Sequence, residues 1–177
     1  WGLGGGWWGA SDTTDSIKAL HDAIDLGVNF IDSALGYEES EKIVGEVIRS
    51  RSEKIYVTSK IPPKNFVFPA KAGTPINEAY PTDWIIECTE KSLKNNGLDC
   101  IYVQMFHVWI NEWAGCDEWR EAARKLKEQG KIRAFGASIN FPYNDSDNGI
   151  VCMESGDFEV CEVVYNIYEQ NPNKDIL

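Results

Sequence analysis

The feature that most constrains the fold is the regular alternation of amphipathic helices and short apolar strands along the 177 residues. A helix followed by a strand is predicted five times in succession. Helices of 10–15 residues that alternate with strands are typical of βαβ units and a parallel sheet. The predicted helices cover residues 15–27, 39–50, about 82–96, 116–129 and 147–156, and the predicted strands cover residues 28–32, 54–60, 100–107, 131–139 and 158–167.

The predicted strands are nearly continuous apolar runs, as expected for parallel strands that are covered on both faces. Two α/β architectures agree with this pattern, a doubly wound open sheet and an eight-fold barrel, and periodicity does not choose between them. Residues 65–80 contain prolines and scattered aromatics, which predicts a long loop.

Composition excludes several functional classes. The formal net charge is −11, and the hydrophobic fraction of 43% is large enough for a packed core. Nucleic-acid and anionic-lipid surfaces need clustered lysine and arginine, so neither a nucleic-acid partner nor a membrane partner is expected. The five cysteines are odd in number and scattered, with no Cys-x-x-Cys pair, which indicates reduced thiols and a cytoplasmic protein.

A glycine-rich segment near the start spells G-x-G-x-x-G from Gly4 to Gly9. A dinucleotide fingerprint of this kind needs a strand directly before it and a helix that begins within it. Neither is predicted here, so the segment is interpreted as an aromatic-rich loop.

Chemically capable side chains close four successive predicted strands. Asp32, Lys60, His107 and then Ser138 with Asn140 stand at these strand ends. The carboxyl ends of parallel strands share one rim, where the sites of parallel α/β folds lie. The loop residue Tyr37 follows Asp32 by five positions, and we expect it to reach Lys60 and His107 across the rim.

These segments resemble the aldo-keto reductase family. Residues 29–37 (NFIDSALGY) look like its Asp-Thr-Ala-x-x-Tyr signature, and residues 39–45 (ESEKIVG) look like the Ser-Glu helix that follows. Residues 58–60, 104–107 and 130–138 are similar to its lysine strand, its histidine strand and its next segment. The resemblance extends over nearly the whole chain in order and spacing.

The resemblance implies a (β/α)8 TIM barrel and an NADPH-dependent oxidoreductase that reduces an aldehyde or ketone. Tyr37 would be the proton donor, and Lys60 would lower its pKa by favouring the phenolate. Asp32 would hold Lys60 and also contact the cofactor, while His107 would orient the carbonyl substrate beside Tyr37.

The expected cofactor contacts depart from the family pattern at two positions. Ser138 and Asn140 would bind the nicotinamide carboxamide, but Ile139 separates the two residues that are commonly adjacent. Glu162 stands where the family often carries glutamine. A carboxylate accepts hydrogen bonds from an amide group but cannot donate one to its oxygen.

Substrate contacts are predicted from aromatic residues near the rim. Trp109, two residues beyond His107, is the first candidate to line an apolar pocket with Tyr37 and His107. Trp7, Trp8 and Trp113 are weaker candidates. The alternative for all four is a place in the core or in an interface.

An eight-fold barrel takes about 250 residues. We therefore expect residues 1–177 to form one domain with about five to six βα units of the barrel, incomplete at both ends. The phosphate-binding strands seven and eight would lie outside it.

The sequence suggests two alternative functions, of which the second is the weaker. The departures at Asn140 and Glu162 are compatible with a non-catalytic barrel that acts as a regulatory or interaction subunit. A metal-dependent enzyme built on His107 and Asp32 would have too few ligands, because a catalytic zinc takes three from the protein. No metal site is therefore predicted.

Overall fold

The computed structural model describes residues 2–6, 9–140, 148–174 and 176–177 of the chain. Its helices are α1 (Thr13–Asp25), α2 (Ser40–Arg49), α3 (Ile76–Ala79), α4 (Thr82–Asn96), α5 (Glu118–Glu128) and α6 (Ile150–Glu154). Its strands are β1 (Phe30–Asp32), β2 (Tyr56–Ile61), β3 (Ile101–Trp109), β4 (Ile132–Ile139) and β5 (Val160–Glu162). Short 3-10 helices occupy Gly2–Gly4, Asn111–Trp113 and Asn171–Lys174.

The five strands form one parallel sheet in the order β1-β2-β3-β4-β5. A doubly wound sheet reverses its strand order at a switch point, whereas a barrel adds each new strand on the same side. Sequential order throughout therefore identifies a curled half-barrel, part of a (β/α)8 fold, and resolves the choice that periodicity left open.

Local sequence explains the helix boundaries. The Asp12 side chain accepts hydrogen bonds from the backbone N–H groups of Thr14 and Asp15 and so caps α1. Gly97 ends α4 in the left-handed conformation, with φ of 63°, which glycine adopts at little cost. Both helices were predicted, over residues 15–27 and about 82–96.

Two apolar clusters fill the space between the sheet and its helices. The smaller joins α1, α2, β1 and β2 through residues such as Leu20, Ile31 and Val44. The larger joins β2–β4 with α4 and α5 and contains a dense group of aromatic rings, namely Tyr80, Phe106, Trp109, Trp113, Trp119, Phe135 and Phe158.

Several predicted elements differ in extent from those in the structure. The fifth strand was predicted over residues 158–167, but β5 spans only Val160–Glu162. The predicted loop contains the one-turn helix α3, and the helix predicted over residues 147–156 is reduced to α6. Apolar residues alone do not extend a strand, because each additional residue also needs a backbone partner on a neighbouring strand.

None of the helices in the described ranges is both long enough and apolar enough to cross a bilayer.

Candidate active site

The carboxyl ends of β1, β2 and β3 bring three of the predicted residues to one place. The register pairs Asp32 with Thr58, two residues before Lys60, and pairs Lys60 with Met105, two residues before His107. Since side chains two apart in a strand share a face, Asp32, Lys60 and His107 lie on the same side of the sheet. This side is the inside of the half-barrel.

The ammonium group of Lys60 is the centre of the site. Its side chain is completely buried, and its Nζ donates to Asp32 Oδ1 and to the backbone oxygen of Ser33, the latter at 3.2 Å. A second carboxylate, Glu162 on β5, approaches with Oε2 at 3.3 Å from the same nitrogen. A buried ammonium needs such partners, because an unpaired charge is strongly disfavoured away from water.

Tyr37 lies on the turn that follows β1. The turn continues along β2, because Ser33 N donates to Thr58 O and Leu35 N donates to Lys60 O. The hydroxyl groups of Ser33 and Ser40, 2.9 Å apart, close the turn at its base. These contacts hold the Tyr37 ring beside Lys60, with Nζ 5.3 Å from the ring centroid.

His107 completes the group at the end of β3. Its ring meets the Tyr37 ring edge to face, with centroids 5.6 Å apart. Its Nδ1 is buried and has no hydrogen-bond partner among the residues that the structure describes. Burial, together with the positive charge of Lys60, lowers the pKa of His107 to about 4, so the imidazole is neutral at physiological pH.

The pKa of Tyr37 moves in the direction opposite to the expectation. Burial raises it first, and the negative charges of Asp32 and Glu162 raise it further. The predicted lowering of the Tyr37 pKa is therefore wrong for this arrangement, because burial and the two carboxylates outweigh the ammonium charge of Lys60. Tyr37 remains a protonated phenol, which is the form that can donate a hydrogen bond to a carbonyl oxygen.

The residues predicted to contact the cofactor lie next to this group. Ser138 on β4 pairs with His107 on one side and with Glu162 on the other, and Asn140 follows directly after β4. Residues 141–147 lie outside the described part of the chain. A primary carboxamide such as that of nicotinamide has one acceptor oxygen and two N–H donors. The hydroxyl of Ser138, the amide of Asn140 and the carboxyl of Glu162 are suited to pair with this oxygen and these N–H groups.

The prediction for Trp109 is corrected by the structure. The register shifts between His107 and Trp109, and Trp109 packs against Phe106, Trp113 and Phe158 with no exposed surface. Its ring therefore belongs to the core between sheet and helices. Trp113 is also a core residue, with 2% of its surface exposed, and Trp7 and Trp8 lie outside the described residues.

The aromatic residue that does reach the site is one that the sequence did not single out. Phe68 lies in the loop after β2, and its ring meets the His107 ring edge to face with centroids 5.6 Å apart. Phe66, Val67 and Phe68 are all exposed, which leaves an apolar segment at the mouth of the site. The sequence signal that could have indicated it is the apolar run Phe-Val-Phe within the predicted loop over residues 65–80.

The possible metal ligands in the described ranges of the chain are dispersed. Within those ranges, no three histidine, cysteine, aspartate or glutamate side chains come together as metal ligands. Asp32 is paired instead with Lys60.

The structure is a curled parallel half-barrel with Tyr37, Lys60, Asp32 and His107 together at its carboxyl rim. This is the arrangement that the resemblance to aldo-keto reductases implied. The sequence profile of the Aldo/keto reductase family matches residues 1–177. The chain therefore belongs to the aldo-keto reductase family.

Individual relatives agree with this assignment. The aldo-keto reductase YhdN of Bacillus subtilis is 30% identical over 184 residues, which cover 100% of this chain and 51% of the relative. The methylglyoxal reductase YeaE of Escherichia coli is 29% identical over 95% of this chain and 54% of its own length. The chain thus spans about half the length of the curated relatives it matches.

Solved structures show the same fold. A glycerol dehydrogenase from Gluconobacter oxydans superposes with a TM-score of 0.76 and 27% identity, over 100% of this chain and 53% of that one. An aldo/keto reductase from Klebsiella pneumoniae, solved with NADP and acetate, superposes with a TM-score of 0.74 and 23% identity, over 99% of this chain and 56% of that one.

Proposed function

We propose that the protein is an NADPH-dependent oxidoreductase that reduces an aldehyde or ketone to an alcohol. The observation that carries the proposal is the convergence of Tyr37, Lys60, Asp32 and His107 on one rim of the half-barrel. Two relatives whose names specify methylglyoxal reduction, one of them NADH-specific, support carbonyl reduction. A structural neighbour that was solved with NADP supports the choice of NADPH.

The reaction transfers one hydride and one proton. Reduced nicotinamide, when bound, supplies the hydride to the carbonyl carbon. The C=O double bond then becomes a single bond, and negative charge develops on its oxygen. Tyr37 donates its hydroxyl proton to that oxygen, because an alkoxide is a stronger base than a phenolate even when the pKa of the tyrosine is raised.

The other residues have supporting roles in this proposal. Lys60 stabilises the phenolate that remains on Tyr37, and Asp32 holds Lys60 in place. Neutral His107 donates a second hydrogen bond to the substrate oxygen and orients the carbonyl. Ser138, Asn140 and Glu162 would hold the nicotinamide carboxamide beside them.

The loop after β2 offers a contact for the substrate. The exposed Phe66–Phe68 segment, with Phe68 against His107, forms one apolar wall of the entrance. We infer that this segment, and not Trp109, contacts the apolar part of a small carbonyl compound.

The test is the Tyr37→Phe variant of the protein in its natural length. Phenylalanine keeps the ring contact with His107 but removes the proton donor, so kcat should fall by roughly 10²–10⁴-fold. The variant should still bind NADPH, which can be measured by the change in NADPH fluorescence. The matched control is Tyr168→Phe, since Tyr168 is 93% exposed and lies outside the site.

A Tyr37→Phe variant with undiminished carbonyl reduction would remove Tyr37 from the mechanism. A protein that binds no nicotinamide cofactor would instead leave the non-catalytic alternative. No observation in the described residues favours that alternative at present.

A further inference from the structure

Two carboxylates share the single ammonium group at the site. Asp32 and Glu162 reach Lys60 from opposite edges of the sheet, from β1 and β5, and each carboxylate side chain is 33% exposed. When both are ionised, the three groups together carry one net negative charge.

The second carboxylate is a property of this chain. In the resemblance described above, the position of Glu162 is often occupied by glutamine, whose amide has a similar shape and no charge. Lys60 already has Asp32 and the Ser33 carbonyl oxygen as partners. Neutralising Lys60 therefore does not require Glu162.

Glu162 is one of the residues that would hold the nicotinamide carboxamide, so the nicotinamide ring would lie close to this charge. Tyr37 must lie within about 3 Å of the carbonyl oxygen that it protonates, and the hydride donor must lie within about 3.5 Å of the carbonyl carbon. The Tyr37 ring is itself 5.3 Å from Lys60 Nζ, which is 3.3 Å from Glu162. Glu162 also pairs in register with Ser138.

The two redox forms of the cofactor differ in charge at the ring. The oxidised nicotinamide ring is a cation, and the reduced ring is neutral. A nearby carboxylate stabilises the first and has little effect on the second. Even over a distance of about 12 Å, at an effective dielectric constant of about 20, one such charge changes the affinity ratio roughly tenfold.

We propose that Glu162 acts as an electrostatic selector that increases the affinity of the site for oxidised nicotinamide relative to reduced nicotinamide. The inference rests on the proposed function. It extends that function by assigning Glu162 a role in the balance between carbonyl reduction and alcohol oxidation on the enzyme.

The surroundings of Glu162 make this selection sensitive to pH. Burial raises the pKa of Glu162 to about 7, with Lys60 acting in the opposite direction and Asp32 adding to the rise. His107 remains neutral and Tyr37 remains protonated between about pH 6 and pH 8. On β4 the paired residue is Ser138, which does not titrate. The selection for the oxidised form should therefore increase as the pH rises through 7.

The experiment measures the dissociation constants of NADP⁺ and NADPH separately, without substrate, for the protein in its natural length. Both forms carry the same phosphates, so the ratio Kd(NADP⁺)/Kd(NADPH) reports the ring charge. At about pH 8, Glu162→Gln should raise this ratio roughly tenfold, whereas at about pH 6 it should change the ratio less than threefold. Glu162→Asp should retain most of the wild-type ratio.

Glu46→Gln is the matched control, because it removes the same charge from an exposed position on α2. If both cofactors bind at about pH 8 and Glu162→Gln leaves the ratio Kd(NADP⁺)/Kd(NADPH) unchanged, the inference is overturned. The proposed function would then remain intact. If the Glu162→Gln variant does not fold, the wild-type protein provides the test. Its ratio Kd(NADP⁺)/Kd(NADPH) should fall severalfold between about pH 6 and pH 8. A ratio that does not change with pH would overturn the inference. If neither cofactor binds, the proposed function fails as well.

Discussion

At the scale of single residues, the sequence indicated which side chains meet at the rim but not the direction of the Tyr37 pKa shift. Asp32, Lys60 and His107 could be predicted because each lies at or near the carboxyl end of its strand, and parallel strands end at one rim. The pKa of Tyr37 could not, because its direction depends on burial and on Glu162, which is 125 positions away in sequence.

The buried imidazole of His107 predicts a loss of stability in acid. Its pKa is about 4 in the folded protein and about 6.5 in an unfolded chain. Above about pH 6.5 both states are neutral at this position, but as the pH falls toward 4 only the unfolded chain takes up the proton. The folded state should therefore lose about 3 kcal/mol of stability from this group across that interval.

Urea unfolding measured at several pH values checks this prediction. His107→Asn should show a smaller loss of unfolding free energy between about pH 6.5 and pH 4 than the wild-type protein. Equal slopes for the two proteins would mean that His107 is not held neutral by its surroundings.

At the scale of elements, the structure explains the glycine-rich segment that resembled a nucleotide motif. Gly2–Gly4 forms a 3-10 turn that packs on the turn carrying Tyr37. A Cβ atom on Gly4 would overlap the backbone oxygen of Tyr37 and lie 2.7 Å from Ser40 N. The glycine at this position thus permits a close approach of two backbones.

This contact predicts that Gly4→Ala disturbs the site from outside it. The added methyl group must push the segment and the turn apart, and a displacement of about 1 Å at Tyr37 should reduce kcat by roughly 10²-fold. Turnover and thermal unfolding should be measured together. Gly2→Ala is the control, since a Cβ there meets nothing within 4 Å, and equal behaviour of the two variants would contradict the prediction.

Helix α2 shows a second limit of reading elements from sequence. Glu41 would be expected on a solvated face, but it is only 1% exposed and accepts hydrogen bonds from Ser59 at 2.5 Å and Asn95 at 2.8 Å. Its partners come from β2 and α4. No local pattern indicates them, because they become neighbours only when the helices pack on the sheet.

At the scale of the whole molecule, the aromatic core determines which way the end of β3 faces. Phe106 packs against Tyr80, Trp119 and Phe135 with ring centroids 4.4–5.6 Å apart. Trp109 joins the same cluster after the register shift. Trp109, which was predicted to line the substrate pocket, is therefore part of this aromatic cluster.

The central position of Phe106 predicts a large effect on stability. Phe106→Ala removes a ring with no exposed surface, and the free energy of unfolding should fall by about 3–5 kcal/mol. Phe30→Ala is the control, because Phe30 is 47% exposed and has less contact to lose. Urea unfolding of both variants checks the prediction, and a similar loss for the two would show that the aromatic cluster is not the main core.

The sequence by itself determined the repeating helix–strand units and the polar residues at the strand ends. Both are periodic or local properties, and they depend on backbone geometry and on near neighbours along the chain. Only the tertiary structure decided the sequential strand order, the second carboxylate on Lys60, and the places of Phe68 and Trp109. These depend on contacts between residues that are distant in sequence, and such contacts are formed only when the sheet curls and the helices pack against it.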